Sequence, residues 1–154
     1  MTLYAKYSKE LGLYVSLDIE RGRVRRAELT VEEPAKAKKD HPILDRVVRH
    51  LATGKDDLKD VPVKLQGTDF QMMVLEALRD IPPGKTMTYG EVAEVIGRPR
   101  AARAVGGACA SNLVPIIIPC HRVVPSGGGL GNYSAAGGAA TKKKLLVREG
   151  ALKN

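Results

Sequence analysis

The 154-residue chain predicts an α+β fold, with a small antiparallel sheet and a helix over 1–60 and a mostly helical unit over 67–154. Three observations predict it. Apolar residues alternate along the first part of the chain and later recur at helical spacing. Two Thr-x-x-Gln/Glu capping boxes open helices in the second part. A polar connector, 54–66 with Pro62, lies between the two patterns.

Leu11, Leu13, Val15, Leu17 and Ile19 alternate, as on a half-buried strand. Glu20 to Arg23 reads as a turn and Val24 to Val31 as the return strand, with Tyr4 to Tyr7 as a third. Asp40 is the predicted cap of a helix that begins near Pro42, places Ile43, Leu44, Val47, Val48 and Leu51 on one face, and stops at Gly54. His41 and His50 read as surface or helix-end residues. A helix over 67–81 opens with Thr68 and Gln71, packs Phe70, Val74, Leu78 and Ile81, and stops at Pro82-Pro83-Gly84. Thr88 with Glu91 opens a short helix through Ile96. Gly97 suits its end and Pro99 the first turn of the next helix, so 88–111 reads as helix, tight turn, helix. Ile116-Ile117-Ile118 reads as a short buried strand. Ser126 to Gly129 and Ala135 to Ala140 read as loops, and Thr141 to Arg148 as a last helix stopped by Gly150.

Hydrophobic content of 44% and charged content of 27% fit an ordinary water-soluble domain. No apolar run approaches the ~18 residues of a membrane span. Lys6, Lys9 and Glu10 interrupt any signal-peptide pattern, so a cytoplasmic location is expected. Cys109 and Cys120 have neither metal-ligand nor disulfide-framework spacing. The first part has no cysteine and only two histidines, so no metal is expected. The net charge is +8 and uneven: from Gly97 to Arg148 there are eight basic residues and no carboxylate. A phosphate-facing surface needs such a stretch.

The segment with the clearest chemistry is Pro119-Cys120-His121-Arg122-Val123. A free cysteine is only a few per cent thiolate at neutral pH, so a nucleophilic thiol needs a neighbouring base or cation. His121 and Arg122 are the nearest candidates. Adjacent side chains on a strand point to opposite faces, so His121 serves Cys120 only if the backbone turns or a water bridges them. The segment Arg100 to Ala108 is a second oddity: a helix whose exposed face is alanine and glycine. Helical glycines cost roughly 1 kcal/mol each. Small residues let a helix backbone approach a surface closely; the competing explanation is close helix–helix packing.

From Tyr89 to Ser134 the chain resembles the O6-alkylguanine-DNA alkyltransferases. The resemblance is carried by Thr88-Tyr89-Gly90-Glu91-Val92-Ala93, Ala101 to Ala108, Asn112, Pro119 to Val123, and Gly131-Asn132-Tyr133-Ser134, in the right order and spacing. It extends over roughly Gln66 to Gly150. It implies a ribonuclease H-like N-terminal lobe and a C-terminal lobe with a winged helix-turn-helix-like unit. It implies single-turnover repair of O6-alkylguanine: the base is flipped from duplex DNA and its alkyl group passes irreversibly to Cys120. Arg103 would fill the gap left in the duplex, with Ala102, Ala104 and Gly106 against the minor groove and Tyr89 at the flipped nucleotide's phosphate. Tyr89 would also donate to ring N3, the Ser134 N–H would face O6, and the Cys120 and Val123 carbonyls would accept from the exocyclic amine. Tyr133 and Pro115 would line the alkyl pocket. His121 would act as base through a water, oriented by Glu149, while Asn112 braces the turn. A monomer with double-stranded DNA as partner and no cofactor is expected. The stretch Ser134 to Ala140 is two residues longer than the family pattern.

Three other readings compete. Alkyltransferase-like sensors bind alkylated DNA without chemistry, but carry tryptophan at the cysteine position; this chain has no Trp. A helix-turn-helix regulator needs long polar side chains on its reading helix. A thiol hydrolase needs an oxyanion hole and a separate triad histidine.

Overall fold

The computed structural model describes residues 2–154. Its architecture is α+β. Strands β1 (Thr2–Ser8), β2 (Leu13–Glu20) and β3 (Arg23–Thr30) form an antiparallel sheet in that order, with Tyr4 opposite Leu17 and Leu17 opposite Ala27. Leu13, Val15, Leu17 and Ile19 are buried, as their alternation predicts. Both sheet edges are covered, which removes the open ladder that invites mispairing. Lys38 exchanges backbone hydrogen bonds with the β1 edge, from Ala5 N–H (2.8 Å) and to the Leu3 carbonyl (2.9 Å). On the β3 edge, Val24 bonds to Pro62 and Lys64, and Ala27 N–H donates to the Leu113 carbonyl (2.9 Å).

Helix α1 (Pro42–Thr53) packs on the sheet. His41, not Asp40, caps it: the Nδ1 of His41 accepts from Ile43 N–H at 3.1 Å. Proline at the first helical position fixes the cap one residue before it. The polar connector is pinned, with Leu58 and Val61 buried and Arg79 donating to both of their carbonyls.

Helix α2 (Asp69–Leu78) has the predicted Thr68–Gln71 capping box but ends at Leu78, with Ile81 in the turn beyond it. Strand β4 (Met87–Thr88) pairs in parallel with β5 (Val123–Val124), a short ladder that periodicity did not reveal. Helix α3 (Tyr89–Val95) opens with the Thr88–Glu91 box, and Gly97 takes φ 76° beyond its end. Helix α4 (Ala102–Ala110) starts later than predicted: Pro99 lies in the turn, closed by Ala101 N–H on the Arg98 carbonyl. Helix α5 (Gly138–Glu149) starts earlier, so Gly138 to Ala140 are helical rather than loop, and Gly150 ends it at φ 86°.

Ile116, Ile117 and Ile118 are buried, but they form a turn and not a strand. Ile118 N–H closes on the Val114 carbonyl (3.0 Å) and Ile116 sits at φ 75°. A β-branched residue in the left-handed region stores about 1–3 kcal/mol. A short buried apolar run looks alike in either conformation, so spacing cannot decide between them. Among the described residues, no helix is long and apolar enough to cross a membrane.

Candidate active site

The turn delivers Cys120 into a 3-10 turn, Cys120–Arg122, rather than to the end of a strand. The backbone does turn at Cys120, as a His121–Cys120 relay requires, but His121 Nδ1 makes no direct hydrogen bond to the sulfur. Asn112 braces the approach: its Nδ2 donates to the Ile118 carbonyl and its Oδ1 accepts from Val114 N–H, both at 2.9 Å. Cys120 is 5% exposed and opens into a cavity of about 830 Å³. Tyr89, Ala102, Arg103, Gly106, Tyr133 and Ser134 line the same cavity. The remaining predicted residues stand outside its lining. Ala104 is exposed on α4, Val123 and Pro115 are buried, and Pro115 instead lines a smaller cavity of about 310 Å³ that Ser134 shares. The Val123 carbonyl already accepts from Lys142 Nζ at 2.7 Å.

Behind the cysteine lies a fully enclosed ionic cluster. Glu149, at the C-terminal end of α5, accepts from Arg122 Nε (3.0 Å) and Nη2 (2.8 Å) and from His121 Nε2 (3.0 and 3.1 Å). Arg122 Nη1 donates to the Ile81 carbonyl at 2.7 Å. Because His121 directs Nε2–H at the carboxylate, its Nδ1 is left as the bare acceptor, and that atom is buried with no hydrogen-bond partner. Burial lowers the His121 pKa from its ordinary 6.5, against the pull of Glu149. The same donors hold the Glu149 carboxyl far below the usual carboxylate range, overcoming its burial. His121 is therefore neutral, and Glu149 charged, at neutral pH.

Burial pushes the Cys120 thiol up; the Asn112 amide and the Lys142 ammonium act against it. The resting group is a thiol. The expectation that His121 and Arg122 raise the thiolate fraction at rest is corrected here: Arg122 is neutralised by Glu149 and His121 is uncharged. A base must take the proton when the thiol reacts. Cys109 lines the cavity as well, but burial raises its pKa to about 12 and keeps it protonated.

Two residues escaped the sequence reading. His50 does stand in the last turn of α1, but it is 1% exposed rather than a surface group, and its Nε2 lies 2.8 Å from Glu149 Oε2. Its spacing from Val47 and Leu51 puts it on the buried face of α1, a signal that was present. Lys142 is 1% exposed and ties α5 to the carbonyls of Val123 (2.7 Å) and Asn132 (3.3 Å). Its i, i+3, i+7 relation to Leu145 and Glu149 on the predicted last helix is the signal that places it on the buried face.

The two glycines of α4 have no internal reason. A Cβ at Gly107 would meet nothing within 4 Å, and one at Gly106 would only touch the Tyr89 ring at 3.8 Å. Helix–helix packing therefore does not explain them.

Fold and site together define a class: a protein with a buried cysteine opening into a cavity walled by a helix-turn-helix, followed in sequence by the histidine of a buried imidazole–carboxylate pair. The family profile described as "6-O-methylguanine DNA methyltransferase, DNA binding domain" matches residues 69–151, and the chain belongs to that family. A methylated-DNA–protein-cysteine methyltransferase of Shigella flexneri is 44% identical over 108 residues, 70% of this chain and 62% of the relative. One from Methanosarcina acetivorans is 50% identical over 96 residues, 61% and 60% of the two chains. The chain thus spans less than two thirds of these relatives' length. The crystal structure of Mycobacterium tuberculosis OGT in complex with DNA superposes with a TM-score of 0.80 at 33% identity, covering 97% of this chain and 93% of that one.

Proposed function

We propose that this protein repairs DNA by direct reversal, moving the alkyl group of an O6-alkylguanine onto Cys120 once per molecule. The observation that carries this reading is the opening of Cys120 into a cavity shared with Tyr89, Arg103 and Tyr133, backed by a neutral His121 whose free nitrogen is buried. O6 of a stacked guanine is beyond reach of a buried thiol, so the base must leave the duplex. Exposed Arg103 on α4 is positioned to fill the gap, and Ala102, Ala104 and Gly106 let the helix lie close to the minor groove. The Mycobacterium structure, solved with DNA, supports a DNA partner.

In the chemical step His121 Nδ1 accepts the Cys120 proton through a water. The sulfur attacks the alkyl carbon, an S–C bond forms, and the C–O6 bond breaks with its electron pair going to guanine. Tyr89 donates to N3 and the Ser134 N–H faces O6, so the developing negative charge meets donors. The Cys120 and Val123 carbonyls accept from the exocyclic amine, while Tyr133 shapes the alkyl pocket. Glu149 and Asn112 act as positioning residues. The thioether product has no cellular route back to the thiol. We read residues 1–60 and 67–154 as two lobes of a monomer, the second carrying the DNA-binding and transfer machinery.

Incubation with duplex DNA carrying O6-methylguanine, followed by intact-protein mass, tests the reading. Transfer adds one methyl group to the Cys120 peptide. Tight binding with unchanged mass overturns it in favour of a non-enzymatic sensor, a reading that the cysteine itself disfavours.

A further inference from the structure

We infer that His50, on α1, is a positioning residue for transfer: it fixes the Glu149 carboxylate that orients His121. The inference rests on the reading of His121 as the base. His50 Nδ1 accepts from Asp56 N–H at 3.2 Å, so this imidazole carries its proton on Nε2 and donates it to Glu149 Oε2 at 2.8 Å. His50 is thus a neutral donor with both nitrogens used, reaching the site from the sheet-bearing part of the chain.

The backbone enforces this contact. Gly54 ends α1 at φ 70°, and a Cβ there would overlap the Arg148 carbonyl and lie 3.0 Å from Glu149 Cα. Gly84 also approaches the end of α5: a Cβ there would stand 3.2 Å from the Glu149 carbonyl oxygen. The ends of α1 and α5 therefore meet backbone to backbone, and His50 is held at hydrogen-bond distance.

The groups facing this cluster are few. Arg122 contributes from the 3-10 turn and His50 from α1, Asp56 stands next to His50, Tyr133 lies within electrostatic reach of Glu149, and Lys142 lies on α5 toward Cys120. Glu149 divides its charge among His50, His121 and Arg122. Remove the His50 donor, and more of that charge falls on His121 Nε2–H, which makes Nδ1 more basic. His121 then binds a second proton at higher pH and stops serving as a base there. Loss of fold stability alone would not move that titration.

The test is the single-turnover methyl-transfer rate against pH, at saturating protein, for the wild type, His50→Asn and His50→Gln. Asparagine keeps an acceptor near Asp56 N–H but falls short of Glu149; glutamine reaches Glu149 with an amide N–H. The acid limb of His50→Asn is expected to move up by about one pH unit, from the loss of one hydrogen bond to a charged group. In His50→Gln the limb returns toward the wild-type position. Equal midpoints in the wild type and His50→Asn, or an equal displacement in both variants, overturn the inference. If His121→Gln leaves the acid limb in place, the base reading falls and this inference with it. Imidazole ¹⁵N shifts of the wild type add a measurement free of folding defects: His50 protonated at Nε2 supports the inference, and protonation at Nδ1 overturns it.

Discussion

The two sides of Cys120 are built on opposite rules. The cavity side includes the half-buried or exposed Tyr89, Arg103, Gly106 and Ser134, together with the buried Tyr133, whose hydroxyl is unpaired. The rear side is Glu149, His121, Arg122 and His50, each side chain at most 1% exposed and the carboxylate saturated with donors. The front has internal contacts to spare; at the rear only His121 Nδ1 is left open. A surface that must admit a foreign group keeps its bonding capacity open. A cluster that must hold one imidazole tautomer uses all of it except the nitrogen left bare. A rear substitution should therefore damage the fold and the chemistry together, and a front substitution should separate them.

Cys120→Ala gives the largest expected effect on chemistry: no methyl transfer by mass, with binding to O6-methylguanine duplex retained by gel shift. Residual transfer would remove the sulfur from the mechanism.

Glu149→Gln should have the largest effect on stability. It leaves Arg122 buried without a counter-charge, and breaking such a pair from one side costs about 3–5 kcal/mol. The sign with pH follows from the depressed Glu149 value. The stabilisation is present above the ordinary 4.5 and is lost as pH falls toward the folded value. In denaturant unfolding, the gap between wild type and Glu149→Gln is expected to be full at pH 7 and to narrow below about 4.5. A gap independent of pH would mean that the carboxylate charge is not what holds the cluster.

Arg103→Ala should separate fold from function. Arg103 is exposed and makes no ion pair among the described residues, so thermal stability should be unmoved. Repair of duplex DNA should fall well below reaction with free O6-benzylguanine, which needs no flipping. Equal losses on both substrates would count against insertion into the duplex.

Gly107→Ala is the smallest effect and the sharpest contrast. Nothing lies within 4 Å of the added methyl, so the helix should gain up to about 1 kcal/mol. DNA binding should weaken none the less, read as a higher Kd at fixed salt. A stabler variant that binds equally well would mean that the small-residue face is not a contact surface.

Much of this architecture was legible in the residues because its causes are local. The three strands followed from alternation, and both capping boxes occur where Thr68 and Thr88 announced them. The proposed nucleophile and its neighbours were legible through spacing and resemblance, and Glu149 does meet His121 across the stretch Ser134 to Ala140. The periodicity of α1 signals the burial of His50, but its hydrogen bond to a residue 99 positions away has no local signature. The Ile116 turn was misread for a related reason: Asn112 supplies side-chain bonds that make an unfavourable φ tolerable.

By itself the chain's order of residues determined which groups are present and the helices and strands that carry them, because caps, turns and periodicity act over a few residues. Only the tertiary structure decided what state the groups are in. Desolvation, set by distant chain segments, makes Cys120 a thiol at rest and His121 a neutral acceptor. The convergence of α1, α5 and the 3-10 turn makes Glu149 an anion, since no single segment holds enough donors to keep a buried carboxylate charged.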